Sequence, residues 1–191
     1  MTARYWFPKH YADEAQRLRV PLGFVMIAAL AWLATPTRSS LAAGLPISMA
    51  GLSIRAWAAG HLAKNESLAM SGPYSYVRNP LYLGTLLAAL GFVVASRAPW
   101  LGISLTAIFL LVYIPAIELE EQHLRKLFPE YEQYARRVPL LIPRGRRVDV
   151  AGGFHFRLYR RNEEYQALAG WLAGVALLCW KAGMLPWAAW P

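Results

Sequence analysis

The chain has 191 residues, a length suited to a single domain. It is 57% hydrophobic and only 16% charged, which excludes an ordinary soluble globular domain. Its net charge of +9 would suit nucleic acid, but the placement of the basic residues between long apolar runs accounts for it without such a partner.

Five runs carry no charge: Val20–Thr37, Ser39–Ile54, Asn79–Ser96, Ala98–Ile117 and Tyr165–Trp180. A helix of 18 residues rises about 27 Å, close to the roughly 30 Å hydrocarbon core of a bilayer. The sequence therefore predicts an all-α bundle of about five membrane spans in one domain, residues 1–191. The second span borrows length from Arg55–Ala58 and the fifth from Gly183–Trp190. With the N-terminus cytoplasmic, seventeen of the twenty basic residues fall on the cytoplasmic side, and only Arg38, Arg97 and Lys181 fall opposite. That asymmetry predicts N-in, C-out. A single cysteine, Cys179, allows no intramolecular disulfide or cysteine metal cluster and reads as a small hydrophobe.

In chain order, residues 1–19 hold Tyr5, Trp6, Phe7, Tyr11 and four basic residues, the pattern of a segment lying along the headgroups. The first apolar run lacks a clean small-x-small cleavage site after it and reads as a retained span. Span one ends at Pro36, and a short link makes it an antiparallel hairpin with span two. Gly44, Ser48, Gly51 and Ser53 are the small residues that let membrane helices approach closely. Arg55 and Trp57 can act simply as interfacial anchors. Residues Gly60–Tyr76 form a loop long enough to expect a function. Its histidine, His61, is either a proton acceptor or inert.

Ser71–Gly84 carries the densest signal. Gly72-Pro73 marks a turn. Asn79 suits a helix N-cap, with Pro80 at the first helical position. The N-terminus of span three then lies at the membrane boundary among Tyr74, Tyr76, Arg78 and Asn79, either as a ligand site or as an interfacial anchor. Gly84 and Gly91 share one helix face. Pro115 predicts a kink near the end of span four. The cluster Glu118-Leu119-Glu120-Glu121 follows, where Glu121 can pair with Arg125 at i,i+4. Glu120 has Leu124 at that spacing instead, so it is a carboxylate on an inward face at membrane depth and a candidate site residue. Tyr131 and Tyr134 share a face. Arg144–Gly153 reads as a linker, and Phe154–Tyr165 as an aromatic and basic segment lying on the headgroups. No P-loop, GxGxxG, internal repeat or HxxxH metal spacing occurs.

Two blocks in combination resemble a known family. Gly72-Pro73-Tyr74-x-Tyr76-x-Arg78-Asn79-Pro80-x-Tyr82-x-Gly84 resembles the GPYxxxRHPxYxG signature of the isoprenylcysteine carboxyl methyltransferases and related phospholipid methyltransferases. Glu120-Glu121-x-x-Leu124, with Tyr131, Tyr134 and Arg137-Val138-Pro139, resembles their EExxL…YxxYxxRVP block. The similarity covers roughly residues 50–143. It implies methyl transfer from S-adenosyl-L-methionine, in an integral membrane bundle with a cytoplasmic cofactor pocket. The acceptor would be a lipid or a prenylated small molecule or peptide, methylated at a carboxylate or an amine. By motif match, the cofactor-binding residues are Ser67, Leu68, Ala69, Tyr74, Asn79, Pro80, Leu81, Tyr82 and Glu120, with Lys64 a looser match. The helix terminus with Arg78 suits the cofactor's carboxylate, and Glu120 its ammonium.

Arg78, Glu121 and Arg137 are the candidate catalytic residues, and Arg55 and His61 the candidate substrate-binding ones. The sequence departs from the pattern twice. Asn79 replaces the family's histidine, so no charge switch exists there. Ala116 stands where the eukaryotic enzymes carry a substrate arginine, a role that Arg137 or Arg55 would have to assume. A sterol-reductase-like NADPH enzyme and a non-catalytic membrane binding protein are the alternative readings.

Overall fold

The computed structural model describes residues 6–144 and 152–184. It is all-helical, with no strand among those residues. The helices are α1 (Lys9–Leu33), α2 (Arg38–Ala59), α3 (Pro80–Ser96), α4 (Pro99–Ile108), α5 (Ile114–Leu127), α6 (Tyr131–Arg137), α7 (Phe156–Arg161) and α8 (Tyr165–Lys181).

The first departure from expectation is at the start. Instead of a headgroup segment followed by a span, one continuous helix runs from Lys9 to Leu33. Ala12 and Ala15 are buried there, and α1 packs against α5, so tertiary contact holds this segment in the bundle. The chain ahead of it is held by Glu118, whose carboxylate accepts the backbone N–H groups of Trp6 and of Phe7, the latter at 3.1 Å.

The turn between α1 and α2 is closed by a capping box, in which Thr37 and Ser40 satisfy each other's backbone amides. α2 and α3 then form the most extensive helix pair in the bundle. Gly44 faces Gly91 and Ala95, and Gly51 faces Gly84 and Ala88, backbone against backbone with no space for a Cβ. Small residues permit that approach, and dispersion across it holds the pair together where no hydrophobic drive exists in lipid.

α4 and α5 join through one π turn, Phe109–Tyr113, into a single rod over Pro99–Leu127. The disturbance expected from Pro115 takes this form. Proline supplies no N–H to the carbonyl four residues back, that of Leu111. The Tyr11 hydroxyl donates to this carbonyl at 2.6 Å and ties α1 to the rod.

α8 lies on α2, where the Trp171 indole N–H donates to Ser48 Oγ at 2.8 Å. Ala34, Leu41, Ala95 and Leu178 form a core at this end of the bundle. Lys181 Nζ donates to the Ala31 carbonyl at 2.7 Å and closes the C-terminus of α1. Of the five spans that the sequence suggests, α1, α2 and the Pro99–Leu127 rod are long and apolar enough to cross a membrane. α3 is apolar but has 17 residues, because Asn79 stays outside the helix, and α8 also has 17. The expected linker at 144–153 and the extension of the fifth span beyond 184 lie largely outside the described residues.

Large apolar side chains stand exposed along α1, the rod and α8, among them Phe24, Ile27, Ile103, Leu110 and Leu172. Water would not tolerate so continuous an apolar surface, whereas lipid requires it. The chain is a helical membrane protein.

Candidate functional site

The site is built where the two sequence blocks meet. Gly72 takes a left-handed φ of 58°, and Pro73 opens a 3-10 turn over Gly72–Ser75. The turn sends Tyr74 inward until it is 6% exposed. Tyr134 Oη donates to the Tyr74 carbonyl at 2.7 Å and fixes its backbone. The Tyr74 hydroxyl itself has no hydrogen-bond partner. Burial, reinforced by the Glu120 charge, raises its pKa, so it stays a neutral phenol.

Pro80 begins α3 as expected, but Asn79 does not cap it with its side chain. The Asn79 amide instead donates to Glu121 Oε1 at 3.3 Å and to the Leu140 carbonyl at 3.4 Å. The expected pair of Glu121 with Arg125 is also absent. Arg78 holds Glu121 through two bonds, Nε to Oε1 at 2.8 Å and Nη2 to Oε2 at 3.2 Å, and Arg125 pairs with Glu132. Glu121 points into the protein, where a helix-surface partner four residues away cannot follow it. Arg78 also donates to the Ala135 carbonyl at 2.6 Å, and its backbone N–H to Pro139. Arg78 and Asn79 thus stitch the first block to the second. Beneath them Tyr131, Tyr134 and Val138 pack with Leu68, Met70, Leu124 and Phe128.

Above this stitch lies a cavity of about 1010 Å³. All ten cofactor-binding residues that the resemblance implies line it: Lys64, Ser67, Leu68, Ala69, Tyr74, Asn79, Pro80, Leu81, Tyr82 and Glu120. Arg55 and Arg78 line it too, while His61, Glu121 and Arg137 do not. Glu121 is buried behind Arg78. His61 packs under Gly72 and shares a hydrogen bond between its Nδ1 and Ser71 Oγ at 3.0 Å. Burial and the nearby His155 hold its pKa below the ordinary imidazole value. Arg137 is exposed at the end of α6.

Sequence reasoning missed several polar contributors. Arg19 of α1 donates from Nη1 to Tyr82 Oη at 2.7 Å, and that hydroxyl donates to Glu120 Oε2 at 2.9 Å. Glu164, just before α8, takes Arg55 in a two-bond pair at 2.6 and 3.0 Å, and Arg55 also bonds Thr85. Asn162 and His123 also line the wall, as do Asp13, Gln16, Asn65 and Thr85. Arg19 looked like one of several headgroup cations, and Glu164 lay far along the chain beside a last span, so neither had a local signal. An apolar strip of α1 (Val20, Phe24, Ile27) faces the same space.

The chemistry of this lining suits a ligand that carries both a cationic group and a hydrogen-bond acceptor. Glu120 offers an acceptor for an ammonium, and Tyr74 Oη is a buried donor without a partner. The first amides of α3 lack intrahelical acceptors. At about 1010 Å³ the space reaches the upper end of the roughly 300–1,000 Å³ typical of a ligand pocket. Among the described residues no group of three His, Cys, Asp or Glu side chains is placed to share a metal ion.

Comparison with known proteins gives the same direction. Over 106 residues the chain is 38% identical to the cobalt-zinc-cadmium resistance protein CzcN of Cupriavidus metallidurans, an alignment covering 52% of this chain and 49% of that protein. It is 34% identical over 109 residues to the nickel-cobalt-cadmium resistance protein NccN of Alcaligenes xylosoxydans xylosoxydans, covering 54% and 51%. It is also 44% identical over 71 residues to the methanethiol S-methyltransferase of Crocosphaera subtropica, covering 37% and 27%. The chain thus spans about half the length, or less, of these curated relatives. No solved structure matches it. Residues 18–131, which include most of α1, the whole first block, Glu120 and Glu121, match the family described as phospholipid methyltransferase. The chain belongs to that family of membrane methyltransferases.

Proposed function

We propose that the chain transfers a methyl group from S-adenosyl-L-methionine to an amphiphilic acceptor, a lipid or isoprenoid-bearing molecule, at the membrane boundary. The observation that carries this reading is the convergence of all ten motif residues on one cavity that also exposes an apolar strip of α1. The donor, when bound, supplies a methyl group on a positively charged sulfur. Glu120 would hold the ammonium and Tyr74 Oη would donate into the ligand, while the stitched α3 and α5 ends keep the two in register. Displacement at carbon gains most of its rate from alignment, which a rigid chamber supplies. The strip of Val20, Phe24 and Ile27 would take the acceptor's tail, so the reacting head reaches the donor from the membrane side. We place the site end of the bundle, with Arg55 and Arg78, at the cytoplasmic face.

Membranes containing the protein, incubated with methyl-labelled donor, should incorporate label into an extractable lipid fraction. Glu120→Gln should reduce donor affinity in calorimetric titration by about 10-fold or more, the size of a lost charge-assisted hydrogen bond. Unchanged donor binding by that variant would overturn the assignment of Glu120. Label found only in water-soluble products would overturn the acceptor class.

A further inference from the structure

Four cationic side chains line the cavity: Arg19, Arg55, Lys64 and Arg78. Arg55 is engaged by both carboxylate oxygens of Glu164, and Arg78 by both of Glu121. Lys64 is exposed on the loop. Arg19 is half-buried and forms no ion pair among the described residues. Among those residues its one side-chain bond goes to Tyr82 Oη at 2.7 Å, and the same hydroxyl donates to Glu120 at 2.9 Å. A guanidinium and a carboxylate thus face one chamber with a single phenol oxygen between them. They come from helices that are remote in sequence, one from α1 and one from α5.

Two opposite charges held this close, but kept from pairing by an intervening hydroxyl, match a ligand whose own opposite charges sit on one carbon. An α-amino acid end is such a group. Its ammonium suits Glu120, and its carboxylate can take the Arg19 N–H groups that Tyr82 does not use. We propose that Arg19 binds the carboxylate of the methyl donor, so that Arg19, Tyr82 and Glu120 form a clasp for its zwitterionic end. This replaces Arg78, which the sequence favoured for that carboxylate and which is committed to Glu121. The inference rests on the donor assignment above. It makes α1 part of the cofactor site.

The test pairs one side chain with one ligand group. S-adenosylmethionine and its decarboxylated form share the ammonium and the sulfonium and differ only in the carboxylate. Titrated calorimetrically into the full chain in detergent, the native protein should bind the decarboxylated form about 10- to 100-fold more weakly. In Arg19→Gln the two ligands should bind with nearly equal affinity, because the carboxylate has lost its partner. The ratio is read within each variant, so a general loss of affinity from altered packing cancels. Arg19→Lys, which keeps the charge but not the fork, should retain part of the preference. It also serves if the glutamine variant fails to fold.

An Arg19→Gln protein that still prefers the carboxylate form as strongly as native overturns the clasp, because the carboxylate is then bound elsewhere. A native protein that binds both forms equally overturns it too. A native protein that binds neither overturns the donor assignment itself.

Discussion

At the scale of single residues, the site rests on side chains whose hydrogen-bonding capacity is either fully used or left open. Tyr74 Oη is buried and unpartnered. An orphaned buried hydroxyl costs about 1–3 kcal/mol. Tyr74→Phe should therefore leave the thermal midpoint of the ligand-free protein unchanged or raised. It should also weaken donor binding roughly 2- to 12-fold, the worth of one net hydrogen bond. Glu121 is the opposite case. Its side chain is 9% exposed against an Arg78 that is 14% exposed. Glu121→Ala would strand the buried guanidinium and should cost about 3–5 kcal/mol, measured by denaturation in detergent. Glu121 also marks the limit of local reading. Helix spacing offered Arg125, four residues on, but burial chose Arg78, 43 residues away. The doublet of acids was visible in the sequence; which of them turns inward to an ion pair and which toward the cavity was not.

At the scale of elements, the small-residue faces of α2 and α3 were legible, but their pairing was not, since the sequence suggested a hairpin of the first two spans and α1 packs chiefly on α4, α5 and the π turn between them. Glycines seven residues apart mark one face of each helix, and the two faces meet backbone to backbone. Gly51→Leu would force a side chain against Gly84 and Ala88. It should cost about 1–3 kcal/mol of stability, seen as a lowered thermal midpoint. Leucine is no less suited to lipid than glycine, so such a loss would report packing and not insertion. The Pro80 start of α3 was equally readable, because proline at the first helical position is a local rule. The extent of α1 was not. Aromatic and basic residues at 1–19 match an interfacial segment by composition, and only contacts with α5 and Glu118 make the chain helical from Lys9. The wall built by Asn162 and Glu164 escaped for the same reason. Neither residue belongs to a motif, and each acquires meaning only when α8 is laid against α2.

For the whole molecule, polarity along the bundle axis organises everything else. One end gathers Arg55, Arg78 and Glu120 with the cavity. The opposite end gathers the exposed Trp32, Trp100 and Trp180 near Arg38, Arg97 and Lys181, the residues expected at a second interface. The charge asymmetry of the sequence is the ground on which we propose that the cavity end faces the cytoplasm. In a Cys179→Ala background, a cysteine at Asn65 should react with a membrane-impermeant thiol reagent only in inverted vesicles. One at Arg97 should react only in intact cells. The reverse pattern would invert the proposed orientation.

The carbonyl that Pro115 leaves bare has a history as well as a partner. Its donor, the Tyr11 hydroxyl, lies 100 residues upstream. At about 5–20 residues per second of synthesis, roughly 5–20 s separate the emergence of the two. The contact that ties α1 to the rod can therefore form only after both have been made, as a docking step between distant parts of the chain.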